Sequence, residues 1–369
     1  MRFFRSLFPL ALVVACTAPA HDPASPDGGA LDDAPEADAA PPPLSGPLNQ
    51  WTWFDVPGAV CGDGSPTGIG VNFGTSDELV VYLEGGGLCW DEPSCQIDVG
   101  GIHLASFFVN GYHRDTFGAG PSTGMFDKAL ATNPYKDATL VYVPYCTGDL
   151  HTGSTTGYFP LTRKTGHFAG GQNLALELDL LKASLPNLAR VTLTGSSAGG
   201  YGAVLNFDRV AQAFAPTRVD LVSDSAPLWN SPLFTNGYNT WNTRAILPVD
   251  CDHCLGDNPY PRLYSYLSAK YPASRFAFLS HDQDLVISAG FLELPPYPFF
   301  YFSMKAFTLG GLGPLPNWRY FVAAGTAHTT VYDLSGTSLE AHLRVTLDVW
   351  LGQMASDDPS WRSATTITQ

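Results

Sequence analysis

The sequence predicts an α/β domain with a mostly parallel central sheet, helices on both faces and disulfide staples. Short runs rich in Val, Leu, Phe and Tyr alternate with helical stretches, as they do in proteins whose parallel sheets are buried on both faces. With 369 residues, 45% of them hydrophobic, the chain is long enough to bury a large core. Its 14% charged and 12% aromatic residues argue against disorder in the body of the chain.

The predicted strands and helices follow one another along the body of the chain. Strands are expected at residues 78–84, 138–145, 190–194, 218–223, 275–280 and 318–324, and helices at residues 173–185, 199–210 and 339–351. Residues 291–318 break the alternation because they are dense in Pro, Gly, Phe and Tyr. We expect this segment to be either a lid or binding wall, or an aromatic-rich satellite core.

The N-terminus has the pattern of an export signal. Arg2 and Arg5 precede an apolar run over residues 7–15, so residues 1–15 are interpreted as a signal peptide. Cys16 follows the run directly, as in bacterial lipoprotein signals, in which this cysteine carries the lipid. The alternative is an ordinary signal peptide cleaved near Ala18 or Ala20. We expect an exported protein that is anchored to the cell envelope through Cys16, or secreted if Cys16 is not lipidated.

The rest of the chain divides by composition into a tether, a folded domain and a tail. Residues 16–47 consist mainly of Ala, Pro, Asp and Gly, which predicts a disordered tether. Residues 48–358 are expected to fold as one monomeric domain, and residues 359–369 to form a C-terminal tail.

The charge balance argues against nucleic acid as a partner. The chain has 34 acidic and 19 basic side chains and a formal net charge of −15. From residue 48 onward, 28 acidic and 17 basic side chains leave a net charge of −11. Such a surface repels a phosphate backbone. No later stretch has the roughly 18 consecutive apolar residues of a spanning helix, so membrane contact is expected only through the lipid anchor.

The six cysteines beyond Cys16 predict three disulfides, because export places them in an oxidising compartment. Six cysteines allow about fifteen pairings. Sequence proximity favours Cys89 with Cys95 and Cys251 with Cys254, which leaves Cys61 with Cys146. The alternative for Cys251-Asp-His-Cys254 is half a zinc site or a redox pair, but the sequence has no second Cys-x-x-Cys to complete a metal site. We therefore expect no metal.

A Gly-x-Ser-x-Gly pentapeptide carries the strongest chemical signal. Gly195-Ser-Ser-Ala-Gly199 follows a predicted strand and precedes a predicted helix, which is the setting of a nucleophile elbow. The flanking glycines allow a sharp turn that exposes the hydroxyl of Ser197 at the top of the sheet. The backbone N–H of Ala198 points into the same space.

A serine hydroxyl is a weak nucleophile and needs a base together with an acid that orients the base. His328 follows the last predicted strand directly, whereas His342 lies inside the predicted closing helix, so His328 is expected to be the base. The fifth predicted strand leads into Asp282 and Asp284. We favour Asp282 as the acid because it is nearer the strand end. Asp284 and Asp224 remain the alternatives, and for Asp224 a structural role is the preferred interpretation.

A glycine turn supplies further donors for a developing oxyanion. The first predicted strand of the body runs into Gly85-Gly-Gly87, where backbone N–H groups can approach a substrate with no side chain in the way. The position of this turn before the serine matches the arrangement in lipases and esterases.

Three motifs together resemble the pectin acetylesterase/Notum family of α/β-hydrolases. They are Leu83-Glu-Gly-Gly-Gly-Leu-Cys89, Tyr145-Cys-Thr-Gly-Asp149 and Gly195-Ser-Ser-Ala-Gly-Gly200. Residues 61–66 and 133–135 look like further landmarks in the expected order, so the resemblance covers approximately residues 48–351.

The resemblance implies an α/β-hydrolase fold and hydrolysis of carboxylic esters through a Ser/Asp/His triad without a cofactor. By position, Ser197 matches the nucleophile, Asp282 the acid and His328 the histidine, with His281 where an aromatic residue is usual. Likewise, Gly86, Gly87 and Ala198 match the oxyanion donors. Gly87 stands where the Notum branch has a tryptophan, so the lipid-like acyl specificity of that branch is not implied.

The expected substrate is a small acyl ester, above all an acetyl ester, on a carbohydrate or similar alcohol. Pectin stays open as the carrier, because pectin is polyanionic and the body of the chain is net negative. One alternative is a broad esterase or lipase that uses residues 291–318 as an acyl wall. The other is a surface-tethered binding protein that has kept the fold without catalysis.

Overall fold

The computed structural model describes residues 42–96, 98–99, 102–103, 113–229, 232–255, 261–291, 296–334 and 345–367, all within one unit that spans Pro42–Gln369. The predicted signal peptide, Cys16, most of the tether and His342 lie outside these residues. None of the helices described is long and apolar enough to cross a bilayer.

The described elements are thirteen strands, eight helices and several short turns of other helix types. Strands β1 to β13 are, in chain order, Trp51–Val60, Pro66–Asn72, Glu78–Leu83, Asp98–Val99, Ile102–His103, Thr139–Val143, Thr155–Phe159, Lys164–Phe168, Arg190–Ser196, Arg218–Asp224, Phe276–His281, Trp318–Ala323 and Ala364–Thr365. Helices α1 to α8 are Glu92–Gln96, Arg114–Phe117, Gly170–Ser184, Ala198–Phe214, Pro232–Trp241, Leu263–Lys270, Tyr301–Lys305 and Leu347–Ala355. The 3₁₀ turns are Gly124–Phe126 and Thr243–Ile246, and the π-helical segments are Val286–Phe291, Pro296–Phe300 and Ala306–Leu312.

Nine strands form one sheet in the order β1-β2-β6-β3-β9-β10-β11-β12-β13. The pairs β1–β2 and β2–β6 are antiparallel, and every other neighbouring pair is parallel. The parallel strands all point the same way, so their carboxyl ends meet at one edge. The predicted fold class and all six predicted strands are confirmed, with ends that differ by one or two residues.

Two apolar cores lie on the two faces of the sheet because successive strand residues point to opposite sides. In β3, Leu79, Val81 and Leu83 belong to one core, whereas Val80 and Tyr82 belong to the other. Nearly all residues of the central strands β3, β9, β10 and β11 are buried. This is why they were recognisable in the sequence as continuous apolar runs.

The aromatic segment that breaks the sequence pattern is helical, and one face of it packs into the core. Phe300, Met304, Phe307 and Leu312 are fully buried. The Phe307 ring lies 5.2 Å from that of Phe278 in β11, between ring centroids. This packing favours the core interpretation for residues 296–312.

Both ends of the folded unit extend beyond the predicted boundaries. The N–H of Leu44 donates to Ser184 Oγ over 2.8 Å, so the described fold begins before residue 48. At the other end, Ala364 and Thr365, within the segment expected to be a tail, form β13 and pair in parallel with β12. Between the last helix and β13, Asp357 forms an ion pair of 2.8 Å with Arg218 of β10, which holds the chain that leads into β13 against the sheet.

Three disulfides confirm the predicted pairing. They join Cys61 to Cys146, Cys89 to Cys95 and Cys251 to Cys254. The first closes a separation of 85 residues and fixes the end of β1 to the segment after β6. The other two staple neighbouring turns.

Candidate active site

Ser197 occupies a sharp turn between a buried strand and a buried helix. Its backbone has φ 55° and ψ −123°, a strained conformation for a residue with a side chain. Glycine is needed on both sides, because a Cβ at Gly195 would overlap the backbone of Gly199, and a Cβ at Gly199 would overlap the carbonyl of Leu83. The Ser197 N–H donates to the Asp224 carbonyl over 2.8 Å, which fixes the turn to the next strand.

His328 is paired with an aspartate at the same edge of the sheet. Its Nδ1 lies 2.8 Å from Oδ2 of Asp284, whose side chain is fully buried. The other oxygen of Asp284 accepts the N–H groups of Val286 and Ile287 over 3.0 Å each. An imidazole held in this way keeps its proton on Nδ1 and leaves Nε2 free to accept one.

The sequence favours Asp282 as the acid, but in the structure it is Asp284 that contacts His328. Oδ1 of Asp282 accepts the Gly325 N–H over 3.0 Å. The cause is the chain after β11, which continues to pair with the segment after β12: the Asp282 N–H donates to Ala323 O and the Gln283 N–H to Gly325 O. The pairing continues past Asp284, because the Leu285 N–H donates to Thr326 O over 3.2 Å, and within this stretch Asp284 rather than Asp282 faces His328.

Asp224 connects the turn at Ser197 to the chain that follows His328. Oδ2 of this fully buried carboxylate accepts Ser196 Oγ over 2.9 Å and the N–H groups of Thr330 and Val331 over 2.8 and 3.1 Å. Oδ1 accepts the Thr330 hydroxyl over 2.9 Å. Burial raises the pKa of Asp224, and these donors oppose the rise. The preferred structural role of Asp224 agrees with these contacts.

The glycine turn passes directly against the serine turn. Leu83 at the end of β3 pairs with Gly195, and a Cβ at Gly85 would lie 3.0 Å from the Cβ of Ser197. Gly86 and Gly87 have φ of 159° and 85°, and the second value lies in the region that favours glycine. The N–H groups of the turn therefore belong to the same edge of the sheet as Ser197.

Further polar groups lie around this edge, and spacing along the chain indicates few of them. Glu84 is half-buried, and loss of hydration raises the pKa of its carboxyl group to about 7. The hydroxyls of Tyr82 and Tyr332 lie 2.6 Å apart. His281, the last residue of β11, is also buried, and burial lowers its pKa, so it is neutral near pH 7. The available signals are the position of Glu84 directly before the glycine turn and that of His281 directly before Asp282.

The topology brings together most of the predicted site residues. Ser197 follows β9, Asp284 follows β11 and His328 follows β12, so all three lie beyond carboxyl ends of parallel strands in one sheet. Ala198 is the first residue of α4, directly after the serine. This combination of sheet order and strand–serine–helix turn defines an α/β-hydrolase-like protein.

Comparison with known proteins gives the family. The pectinacetylesterase family model matches residues 52–243, and the chain belongs to this family, which is one of carboxylic ester hydrolases. Palmitoleoyl-protein carboxylesterase NOTUM of Mus musculus is 30% identical over 156 residues, 41% of this chain and 29% of the relative. Pectin acetylesterase 7 of Arabidopsis thaliana is 31% identical over 191 residues, 49% of this chain and 45% of the relative. The aligned region thus spans less than half of either relative.

A solved structure confirms the fold. The structure of the Wnt deacylase Notum from Drosophila matches with a TM-score of 0.64 and 20% identity, covering 85% of this chain and 95% of that one. The predicted family and fold are both confirmed by these comparisons.

Proposed function

We propose that this chain is a serine carboxylic-ester hydrolase in which Ser197 is the nucleophile, His328 the base and Asp284 the orienting acid. The observation that carries the proposal is the 2.8 Å contact between His328 Nδ1 and the buried Asp284 carboxylate, at the sheet edge that also bears the serine turn. Membership of an ester hydrolase family supports the same reaction.

The reaction proceeds in two steps of acyl transfer. Asp284 holds the proton of His328 on Nδ1, and Nε2 takes the proton of Ser197 Oγ as the oxygen attacks the ester carbonyl. Backbone N–H groups of Gly86, Gly87 and Ala198 stabilise the negative charge on the carbonyl oxygen. His328 then protonates the departing alcohol. Water, activated by His328, attacks the acyl-enzyme and releases the acid and the free serine.

The proposed substrate is a small acyl ester, above all acetyl, on a carbohydrate or similar alcohol. The family and the pectin acetylesterase relative support an acetyl ester. The net charge of −11 from residue 48 onward gives no long-range attraction for polyanionic pectin, so a less charged carrier is preferred. Export and anchoring through Cys16 remain part of the proposal.

A second candidate is a lipase-like preference for longer acyl chains. Phe299 and Phe302 are 60% and 55% exposed on the aromatic segment, and Leu285, next to Asp284, is 47% exposed. Such side chains offer apolar surface to a longer chain.

Hydrolysis of p-nitrophenyl acetate, butyrate and octanoate by the full chain, with its disulfides intact, tests the proposal. We expect acetate to be the best substrate and Ser197→Ala to lose roughly 10³-fold or more of the turnover. Ser265→Ala, which removes an exposed hydroxyl in α6, is the matched control and should keep full activity. A preference for octanoate would favour the lipase-like candidate. Absence of Ser197-dependent turnover on all three esters would contradict the esterase and favour a binding protein.

A further inference from the structure

The segment that follows β6 packs behind the glycine turn and holds its carbonyl groups. The hydroxyl of Tyr145 donates to the Gly87 carbonyl over 2.9 Å. Nε2 of His151 lies 2.9 Å from the Glu84 carbonyl and must donate to it, since a carbonyl only accepts. Both ends of the turn are therefore fixed by side chains of one short segment, residues 145–151.

The segment is itself tightly fastened. The Tyr145 hydroxyl accepts the Leu150 N–H over 2.9 Å, and the rings of Tyr145 and His151 lie 4.8 Å apart, between centroids. The Tyr145 N–H donates to the Glu84 carboxyl group over 2.9 Å. Nδ2 of Asn206, in α4, donates to the His151 carbonyl over 3.0 Å. The segment thus joins the glycine turn to the helix that begins with Ala198.

These contacts bracket the proposed oxyanion donors. The Gly86 and Gly87 N–H groups belong to two consecutive peptide groups. The peptide group before these two contains the Glu84 carbonyl, and the one after them contains the Gly87 carbonyl. Because a peptide group is planar, holding these two carbonyls fixes the planes on both sides of the N–H donors. Glycine has more backbone freedom than any other residue, and three in a row do not hold one conformation unaided. Donors stabilise an oxyanion best when they are already oriented before the reaction.

We propose that Tyr145 and His151 are positioning residues that hold the glycine turn with its N–H groups oriented toward the developing oxyanion. This inference rests on the proposed esterase function. Neither side chain needs to touch the substrate: each acts through a backbone carbonyl.

The protonation state of His151 supports this role. Burial lowers its pKa to about 4, so the ring is neutral at the pH of most assays and donates from Nε2 without placing a cation beside the turn. Other titratable groups that interact with Glu84 or Tyr145 beside the turn are Tyr82, Tyr142, Tyr332 and Asp149. The pKa of Tyr145 is raised well above its usual value by burial, so its hydroxyl keeps the proton that it donates.

Tyr145→Phe tests the proposal, because it keeps the ring and removes only the hydroxyl. Loss of a whole oxyanion donor costs about 10²–10³ in kcat, so partial misalignment of the turn is expected to lower kcat for p-nitrophenyl acetate by about 10-fold or more. KM should change by less than about twofold, since the contact matters in the transition state. Inhibition by phenylboronic acid, which forms a tetrahedral adduct with the serine, should weaken by about the same factor as kcat.

Tyr238→Phe is the matched control. Tyr238, in α5, has a buried hydroxyl with no hydrogen-bond partner in the described part of the chain, and its removal should leave kcat and inhibition unchanged. Should Tyr145→Phe fold poorly, His151→Gln and His151→Leu replace it. Glutamine can still donate to the Glu84 carbonyl and should retain more kcat than leucine.

The outcomes separate this inference from the esterase proposal. Wild-type protein with Ser197-dependent turnover, together with unchanged kcat and inhibition in Tyr145→Phe, would overturn the positioning role and leave the esterase standing. Equal losses in Tyr145→Phe and Tyr238→Phe, or in the two His151 variants, would also overturn it. A wild-type protein with no Ser197-dependent turnover would overturn both.

Discussion

Replacing Asp284 with asparagine perturbs the proposed triad through one proton. Oδ1 of Asp284 accepts two backbone N–H groups, from Val286 and Ile287, and an asparagine keeps these contacts if its amide oxygen takes that place. The amide nitrogen then faces His328 Nδ1, where Asp284 Oδ2 lies at 2.8 Å. Because that nitrogen donates, Nδ1 must accept, and the ring proton moves to Nε2. A histidine in this tautomer cannot take the proton of Ser197.

The expected loss in Asp284→Asn is about 10⁴-fold in kcat, equivalent to about 5 kcal/mol in the activation barrier. Asp282→Asn is the matched control, two residues away in the same loop. Its Oδ1 accepts the Gly325 N–H, a contact that an amide oxygen also makes, so less than about 10-fold should be lost.

The assay is steady-state hydrolysis of p-nitrophenyl acetate at pH 8, beside thermal unfolding of both variants. Asp284→Asn should unfold near the wild-type temperature, because the backbone contacts of the side chain persist. A loss of about 10⁴-fold in Asp282→Asn with near-normal turnover in Asp284→Asn would refute the reasoning and return the acid to Asp282.

Three further predictions concern stability. The folded-state pKa of Glu84 is raised from 4.5 to about 7, so the wild-type protein loses stability as the pH rises from 4.5 to 8. Glu84→Gln does not titrate there, so in urea unfolding its free energy of unfolding relative to wild type should rise by about 3 kcal/mol over this range. A difference that does not change with pH would contradict the raised pKa. Asp224→Asn should lower the free energy of unfolding by about 1–3 kcal/mol, because an amide nitrogen cannot accept hydrogen bonds from Ser196, Thr330 and Val331. An unchanged urea midpoint would contradict the role of Asp224 in joining the serine turn to the chain after His328. Reduction of the three disulfides should lower the free energy of unfolding by at least about 4–5 kcal/mol, the loop-entropy value for Cys61–Cys146 alone, which closes a separation of 85 residues. Unfolding with and without dithiothreitol measures this loss, and a chelator should have no effect.

Some of this architecture is predictable from sequence because burial leaves a continuous signal. The central strands are buried on both faces, so they appear as runs of apolar residues, and the turn at Ser197 needs glycine on both sides, which leaves a motif. In contrast, the sequence pattern does not indicate β1, since seven of its ten residues are exposed or half-buried and it lies at the sheet edge.

Residues whose role depends on contacts far along the chain were not predictable. Asp282 contacts Gly325 and Asp284 contacts His328, residues 43 and 44 positions away along the chain, so spacing does not encode which carboxylate faces the histidine. The contact of Tyr145 with Gly87 joins residues 58 positions apart. Nothing local to either residue indicates it.

Covalent labelling of Ser197 tests the central claim most directly. The folded, disulfide-bonded chain is treated with a fluorophosphonate, digested and analysed by mass spectrometry for the modified residue. We expect one phosphonylated site, Ser197, with no labelling in Ser197→Ala and a labelling rate in His328→Ala that is lower by about 10³-fold or more. Folded protein that stays unlabelled, or that carries the label on a different serine, would contradict the account.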